Sequence, residues 1–240
     1  MHTVRRLTAS TAAILVLMLI VVAPAAQAQS RAKTTMLGAF GGYNLASDIY
    51  TSSSYTGTSA AKLALNNGFE WGGRLTHFTN EYSAVEFAYT RNGSDLELQN
   101  YYGGVVPNNY AAGRVNLDQF DLNFLMSKPT SNPKLWPYFT LGIGLTNTSP
   151  EVTAKNPTTG QPISVDGNSL FAWNIGIGTL IDMNPKLGLR LDAKWRITNT
   201  NITTSSGVYC DYYGYCWSYS SDWYDSGEFT AGLQYKFGAK

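Results

Sequence analysis

The chain has 240 residues, of which 17 are Lys or Arg and 16 are Asp or Glu, so its formal net charge is +1. Nucleic-acid-binding proteins need a strong basic excess that this chain lacks, so we expect no nucleic-acid partner. The length suits one all-β domain, since sandwiches and barrels of this size commonly form a single unit.

The N-terminus has the pattern of a cleaved signal peptide. An apolar run extends from Ala12 to Ala23, and Ala26-Gln27-Ala28 matches a small-x-small cleavage site. The run is shorter than the ~20 residues that a membrane-spanning helix needs. We therefore predict a signal peptide at residues 1–28 and one β-barrel domain at residues 29–240, with 15 basic and 16 acidic residues in that domain.

After this leader, segments of alternating apolar and polar residues follow one another, which is typical of β-strands that separate two environments. We predict eight strands, at about residues 34–45, 67–78, a third that contains 84–89, then 114–127, 136–146, 170–181, 187–197 and 227–237.

The connections between these strands alternate between short and long. Short turns follow the second, fourth and sixth strands, and long polar stretches lie at residues 46–62, 99–113, 149–168 and 199–222. This alternation predicts an up-and-down antiparallel barrel with all short turns at one end and all long loops at the other. Strands of ~10–12 residues are long enough to cross an outer membrane at a tilt.

The distribution of bulky and small residues indicates which face of the barrel is wet. An eight-stranded barrel has room only for its own side chains, so the bulky apolar face must point outward and the face with Gly and charges inward. Enclosed charges must pair with one another, because unpaired ones cost several kcal/mol each. The predicted lumen charge network is Glu70, Arg74, Glu86, Asp121, Arg190, Asp192, Lys194, Arg196, Glu228 and Lys236.

Two interpretations of this network stay open at the level of sequence. It either fills the barrel as a polar core, or it gates an ion path by exchanging ion-pair partners. On the outer face, aromatic residues near strand ends, including Trp136, Tyr82 and Tyr235, have the pattern of interfacial girdles. The predicted lipid-facing aromatic residues are Trp71, Tyr89, Phe139, Trp173, Trp195, Tyr235 and Phe237.

At this point the chain resembles the small outer-membrane β-barrel proteins of the OmpA/OmpX type. The features that carry the resemblance are the leader, the eight amphipathic strands, the Gly-Gly-Tyr at 41–43 and the Pro-Tyr-Phe-Thr-Leu-Gly-Ile-Gly of the fifth strand. The resemblance implies an outer-membrane location, periplasmic short turns, external long loops, and lipid and the barrel-assembly machinery as partners. We expect no periplasmic peptidoglycan-binding domain after the barrel, so tethering to the cell wall is not implied. The family closes on a C-terminal strand with a terminal aromatic residue that the assembly machinery reads. This chain departs from that pattern, because Phe237 is followed by Gly238-Ala239-Lys240.

The fourth long stretch carries both cysteines of the chain, Cys210 and Cys216. In an oxidising compartment a close pair of this kind predicts a disulfide that closes a small loop. The same loop is rich in Tyr and Trp. These residues could bind an extracellular protein or glycan, or they could pack over the end of the barrel that carries the long loops. The predicted surface binding loop contains Tyr209, Tyr212, Tyr213, Tyr215, Trp217 and Tyr219.

The residue types for catalysis are scarce. His77 is the one histidine beyond the leader, and the predicted topology puts it near the turn end of its strand, so we expect no enzyme, no cofactor and no metal site. The predicted function is a structural or adhesive scaffold that displays surface loops. The alternatives are a narrow pore for ions or small solutes and a soluble secreted barrel that binds an apolar ligand.

Overall fold

The computed structural model describes residues 31–46, 48–53, 59–102, 105–128, 130–132, 134–152, 169–199, 209–210, 216–217 and 223–237. The predicted signal peptide lies outside the described residues. Among the described residues, no helix has the length and apolarity needed to span a bilayer.

Twelve strands form the described part of the chain. They are β1 (Thr35–Ala46), β2 (Asp48–Ser53), β3 (Ser59–Leu65), β4 (Gly68–Phe78), β5 (Ser83–Tyr102), β6 (Val105–Ser127), β7 (Leu135–Val152), β8 (Ser169–Asp182), β9 (Leu187–Asn199), β10 (Tyr209–Cys210), β11 (Cys216–Trp217) and β12 (Trp223–Phe237).

Eight of these strands close into an antiparallel barrel, as predicted. The order around the wall is β4-β1-β12-β9-β8-β7-β6-β5, and β5 returns to pair with β4. The seam joins the first and last strands, from Thr35 opposite Phe237 to Ala46 opposite Ser226. Closure leaves no open sheet edge in the wall, which is the condition for placing strands in lipid.

The predicted facing of the strands is found along the barrel wall. In β4, residues alternate between buried and exposed over the whole strand, with Phe69 at 63% and Trp71 at 53% exposure on the outside. Because successive side chains point to opposite faces, Glu70, Arg74 and Thr76 of the same strand are all buried inside the barrel. The apolar face is therefore outside, and a barrel that holds an apolar ligand in its interior is the wrong alternative.

In the first long polar stretch, residues 48–53 and 59–62 are part of the sheet, so the prediction of a loop was wrong for these residues. β1 pairs with β4 up to Asn44 opposite Gly68, and the same register continues with Asp48 of β2 opposite Ala64 of β3. β3 also pairs with β5. Thr and Tyr are among the residues favoured in strands.

The second long polar stretch was also predicted as a loop and is also mostly strand. β5 and β6 stay paired up to Tyr102 opposite Val105. Residues 95–102 extend this hairpin past the start of β4 by about 26 Å at ~3.3 Å per residue. Among the described residues, β5 and β6 are therefore longer, with 20 and 23 residues, than β8, β9 and β12, with 14, 13 and 15.

The end of the barrel that carries the short turns, called the turn end below, is closed by an apolar plug. Its members are Met36, Phe78, Ala84, Leu125, Trp136, Tyr138 and Leu180, all buried. The rings of Phe78 and Trp136 pack edge to face with their centroids 4.8 Å apart. The prediction of Trp136 as an interfacial girdle residue was wrong: it is 4% exposed, because it shares the inward face of β7 with Tyr138.

Candidate functional site

All ten residues of the predicted charge network point into the lumen, and they fall into three groups. The central cluster is Arg74, Glu86, Arg190 and Asp192. The upper cluster, nearer the long loops, is Glu70, Asp121, Lys194, Arg196 and Glu228. Lys236 belongs to a third group, which also contains Arg31 and Asp182. This group lies at the opening of the turn end and is called the mouth cluster.

The central cluster joins three strands of the barrel, β4, β5 and β9, through two arginines. Arg190 of β9 forms a two-point ion pair with Glu86 of β5, through a short Nη1–Oε2 contact and an Nη2–Oε1 hydrogen bond of 3.2 Å. The same guanidinium donates to Asp192 at 3.0 Å, and Arg74 of β4 donates to the other oxygen of Asp192 at 2.5 Å. Two cations and two carboxylates thus alternate, so the cluster is charge-balanced.

Neutral side chains complete this cluster. The Tyr138 hydroxyl donates to Asp192 and accepts a hydrogen bond from Arg190 Nε at 2.5 Å. Thr76 donates to Glu86 at 2.7 Å and Asn123 donates to it at 3.1 Å. Since each buried carboxylate accepts several hydrogen bonds, the cluster meets the condition under which buried ion pairs are tolerated.

The upper cluster is centred on Arg196, which is fully buried. Its guanidinium contacts Asp121 of β6 through a short ion pair and donates to Glu228 of β12 at 2.6 Å. Glu70 is fully buried beside Asn44, within the electrostatic reach of Lys194, Arg196 and Glu228, and the described residues give it no ion pair. This cluster therefore holds three carboxylates and two cations.

The mouth cluster contains two residues that the sequence analysis missed. The Asp182 carboxylate lies 2.6 Å from Arg31 Nη2 and 2.5 Å from Lys236 Nζ. Asp182 continues the inward alternation of β8 one position past the predicted strand, a signal that could have identified it. Arg31 precedes the first strand, so no alternation indicated its position.

Together these groups fill the described part of the lumen. The plug and the central cluster enclose a cavity of about 10 Å³ between Met36, Leu125, Trp136 and Arg190, which is room for at most about one water molecule. Ion pairs of the central cluster lie on one side of this cavity, and the apolar rings of the plug lie on the other. The arrangement supports a rigid wall more than it supports transport.

The predicted lipid-facing aromatic residues all lie on the outer face. Several pack in pairs along it: Trp71 with Tyr89 at 6.4 Å, Trp173 with Trp195 at 6.3 Å and Tyr235 with Phe237 at 4.9 Å between ring centroids. Phe139 lies on the same face, opposite Met126 and Ile177 in the sheet. Tyr82, predicted as a girdle residue, is exposed in the first short turn.

The predicted surface loop is described only in part. β10 pairs with β11 so that Tyr209 lies opposite Trp217 and Cys210 lies opposite Cys216. Directly opposed residues of an antiparallel pair have Cα atoms ~4.5–5.5 Å apart, within the range that a disulfide spans. The cysteine side chains, and residues Tyr212, Tyr213, Tyr215 and Tyr219, lie outside the described residues, so the disulfide stays a prediction.

His77 is exposed on the outer face near the turn end, where its Nδ1 lies 3.0 Å from the Thr35 hydroxyl. In the described residues, no carboxylate contacts this ring to orient it as a base. No group of three or more His, Cys, Asp or Glu side chains in that part of the chain is arranged to hold a metal ion.

Comparison with known proteins gives a consistent result. The family model for the outer membrane protein beta-barrel domain matches residues 12–237. The outer membrane protein OprG from Pseudomonas aeruginosa is similar in structure, with a TM-score of 0.55, 14% identity, and coverage of 86% of this chain and 97% of that chain. Neisserial surface protein A (NspA) has a TM-score of 0.50, 16% identity, and coverage of 85% and 97%. No curated protein sequence matches the chain.

Proposed function

The chain belongs to the family of outer membrane protein β-barrel domains and is a bacterial outer-membrane protein, and from this premise we propose that it acts as a structural and adhesive scaffold. In this role the barrel anchors the chain in the membrane, and the long connections at the opposite end from the short turns meet the surroundings of the cell.

The observation that carries the proposal is the filled lumen. Arg190 binds Glu86 and Asp192 across the centre of the barrel, and Trp136 and Phe78 pack below them. Opening a path for ions requires breaking this network, and removing one partner of a buried pair costs about 3–5 kcal/mol. A pore is therefore the alternative outcome of the test, and the rigid scaffold is the proposed role.

A second observation supports display of a surface. The β5–β6 hairpin and the β2–β3 hairpin form a four-stranded extension of the wall, which holds its backbone by regular pairing. Regular pairing reduces the entropy lost when a partner binds, in comparison with a flexible loop. The aromatic residues predicted for the Cys210–Cys216 loop would supply further large, rigid contact groups.

No enzymatic role enters the proposal. His77 and Thr35 form the histidine–hydroxyl contact among the described residues, and both lie at the turn end of the barrel, far from the displayed loops. A catalytic base also needs an orienting group and a substrate-sized cleft, and this pair has neither among the described residues.

The first test measures conductance of the purified full-length protein in a planar bilayer. We expect no discrete conductance steps from the wild-type barrel, because the central cluster occupies the lumen. Conductance steps in wild type whose size changes in Arg190→Gln or Arg196→Gln would contradict the scaffold role and show that the barrel is a pore.

The second test measures adhesion. Gram-negative cells that express the chain are compared with cells that carry Tyr212→Ser, Tyr213→Ser and Tyr215→Ser together, for retention on polystyrene and for sedimentation by autoaggregation. We expect both to fall several-fold in the variant. A matched control replaces Ser205 and Ser206 of the same loop with Ala and should adhere like wild type; equal adhesion of all three would contradict the adhesive role.

A further inference from the structure

The exposed charges at the turn end of the barrel are almost all positive. Four exposed lysines surround it, one before β1, two between β6 and β7 and one between β8 and β9; this lysine ring is Lys33, Lys128, Lys134 and Lys186. Glu81 is the one exposed acid among the described residues of this end. The excess is therefore three positive charges on a surface that otherwise consists of short turns.

The lysine ring has no internal counter-charge. Among the described residues, no carboxylate lies within 4.0 Å of any of its four amino groups. Asp182, the other acid at this end, is turned into the mouth, where Arg31 and Lys236 already neutralise it. The field of the ring is thus directed outward, toward whatever the turn end faces.

The opposite rim of the wall has the reverse sign. Its outward-pointing charges among the described residues are two arginines and five acids: Arg91, Arg114, Asp95, Glu97, Asp118, Glu151 and Asp225. The positive excess is therefore specific to the turn end and is not a general property of the barrel surface.

Apolar side chains lie between the lysines, at the edge of the outer apolar face. Tyr82 is 50% exposed and Met183 is 60% exposed. A tyrosine at this depth places its ring against acyl chains and its hydroxyl among headgroups, and a lysine stem packs on apolar surface while its amino group reaches outward. The residues of this end therefore match the depth of a phospholipid headgroup layer.

From this arrangement we propose that the lysine ring binds the anionic headgroups of phospholipids in the leaflet that the turn end contacts. The family resemblance places the short turns in the periplasm, so this is the inner leaflet of the outer membrane. The ring is spread around the barrel, so it collects several lipid molecules and has no single pocket. Each lysine near an anionic surface contributes about 1 kcal/mol. The proposal does not depend on the adhesive role of the loops.

The test uses the folded full-length protein in detergent with equal amounts of phosphatidylglycerol and phosphatidylcholine of the same acyl chains, and counts retained lipids by native mass spectrometry. We expect wild type to retain phosphatidylglycerol in several-fold excess. Replacing all four lysines with Gln should bring the ratio of retained phosphatidylglycerol to phosphatidylcholine down to about one at low salt. The matched control, Asp95→Asn with Glu151→Gln at the other rim, should keep the preference.

A second measurement needs no variant. The excess of phosphatidylglycerol on wild type should fall as the salt concentration rises, because the ring is exposed and therefore screened. Equal retention of both lipids by wild type, a preference that persists in the lysine variant, or one that salt does not change would each overturn the proposal. Lysine-dependent sedimentation with purified peptidoglycan, without a lipid preference, would instead assign the ring to the cell wall.

Discussion

Arg190 and Glu86 face each other across the lumen and form a buried two-point ion pair between β9 and β5, which are separated by 104 positions in sequence. This pair ties opposite walls of the barrel together. Its energetic role can be separated from that of its neighbours, because Arg74 and Asp192 form a second pair that stays balanced when both members of the first are removed.

The first prediction concerns this pair. Arg190→Met should lower the free energy of unfolding by about 3–5 kcal/mol, because Glu86 and Asp192 are left with one cation between them. The double variant Glu86→Gln with Arg190→Met restores the charge balance, so it should be more stable than the single Arg190→Met variant. Urea titrations of the folded barrel in phospholipid vesicles measure both. If the double variant is no more stable than Arg190→Met alone, the two side chains are not coupled.

The second prediction uses the excess carboxylate of the upper cluster. Glu70→Gln should leave the free energy of unfolding unchanged or raise it, because it removes the carboxylate that has no ion pair. Glu228→Gln should lower it by about 3 kcal/mol, because Arg196 loses its partner at 2.6 Å. The two changes are chemically identical, so each is the control for the other in the same urea titration. A larger loss for Glu70→Gln would contradict this account.

The third prediction concerns the mouth cluster. Asp182→Asn should lower the temperature at which the folded band disappears from unboiled electrophoresis samples, because Arg31 and Lys236 lose their shared carboxylate. Asp225→Asn is the control, since Asp225 accepts a hydrogen bond from Trp195 on the exposed outer face. A typical hydrogen bond contributes about 0.5–1.5 kcal/mol, less than the loss expected when two buried cations lose a shared carboxylate. Equal shifts in the two variants would mean that the mouth cluster has no special role.

The fourth prediction tests the packing of the lumen with glycines. A Cβ at Gly178 would overlap the Tyr138 hydroxyl, so Gly178→Ala should displace Tyr138 from Asp192 and cost about 1–3 kcal/mol. A Cβ at Gly73 meets only the Gly38 carbonyl oxygen at 3.6 Å, an ordinary contact. Gly73→Ala should therefore fold like wild type or gain ~0.4–1 kcal/mol. The yield of the heat-modifiable band and its urea midpoint compare the two variants.

The fifth prediction concerns the cysteines. If Cys210 and Cys216 are joined, the intact mass of protein isolated from outer membranes is lower by two hydrogens than that of the reduced chain, and neither thiol reacts with iodoacetamide before reduction. Reduction should make both reactive. Cys210→Ser is the control, because it leaves Cys216 free in either state. Labelling of both thiols without reduction would show that Cys210 and Cys216 are not joined by a disulfide.

The barrel itself was predictable because a period of two residues survives wherever one face is apolar and the other polar. β9, for example, keeps Leu191 and Trp195 outside and Arg190 and Arg196 inside over its whole length. The same rule failed above the membrane level. In β2 and the last residues of β5, polar residues follow one another, as in Thr51-Ser52-Ser53 and Gln99-Asn100, so no alternation distinguishes these strands from loops.

The partners within the lumen were not predictable. Alternation shows that Arg190 and Glu86 both point inward, but the stagger of the closed sheet decides which inward residues meet at one height. The same limit explains Trp136. Aromatic residues near strand ends are typical of an interfacial girdle. Trp136, however, lies two positions before Tyr138 and therefore shares its inward face. There its indole N–H donates to the Glu81 carbonyl at 3.1 Å.

The shared carboxylate of Asp182 also bears on the order in which the barrel assembles. One of its partners precedes the first strand and the other lies in the last strand, while Asp182 itself ends β8. Neither wall can offer both cations until the seam between β1 and β12 has formed. Lys236 can reach Asp182 once β8, β9 and β12 have paired, but Arg31 can reach it only after β1 has paired with β12. The Arg31 contact is therefore gained on closure of the barrel, which disfavours half-closed intermediates.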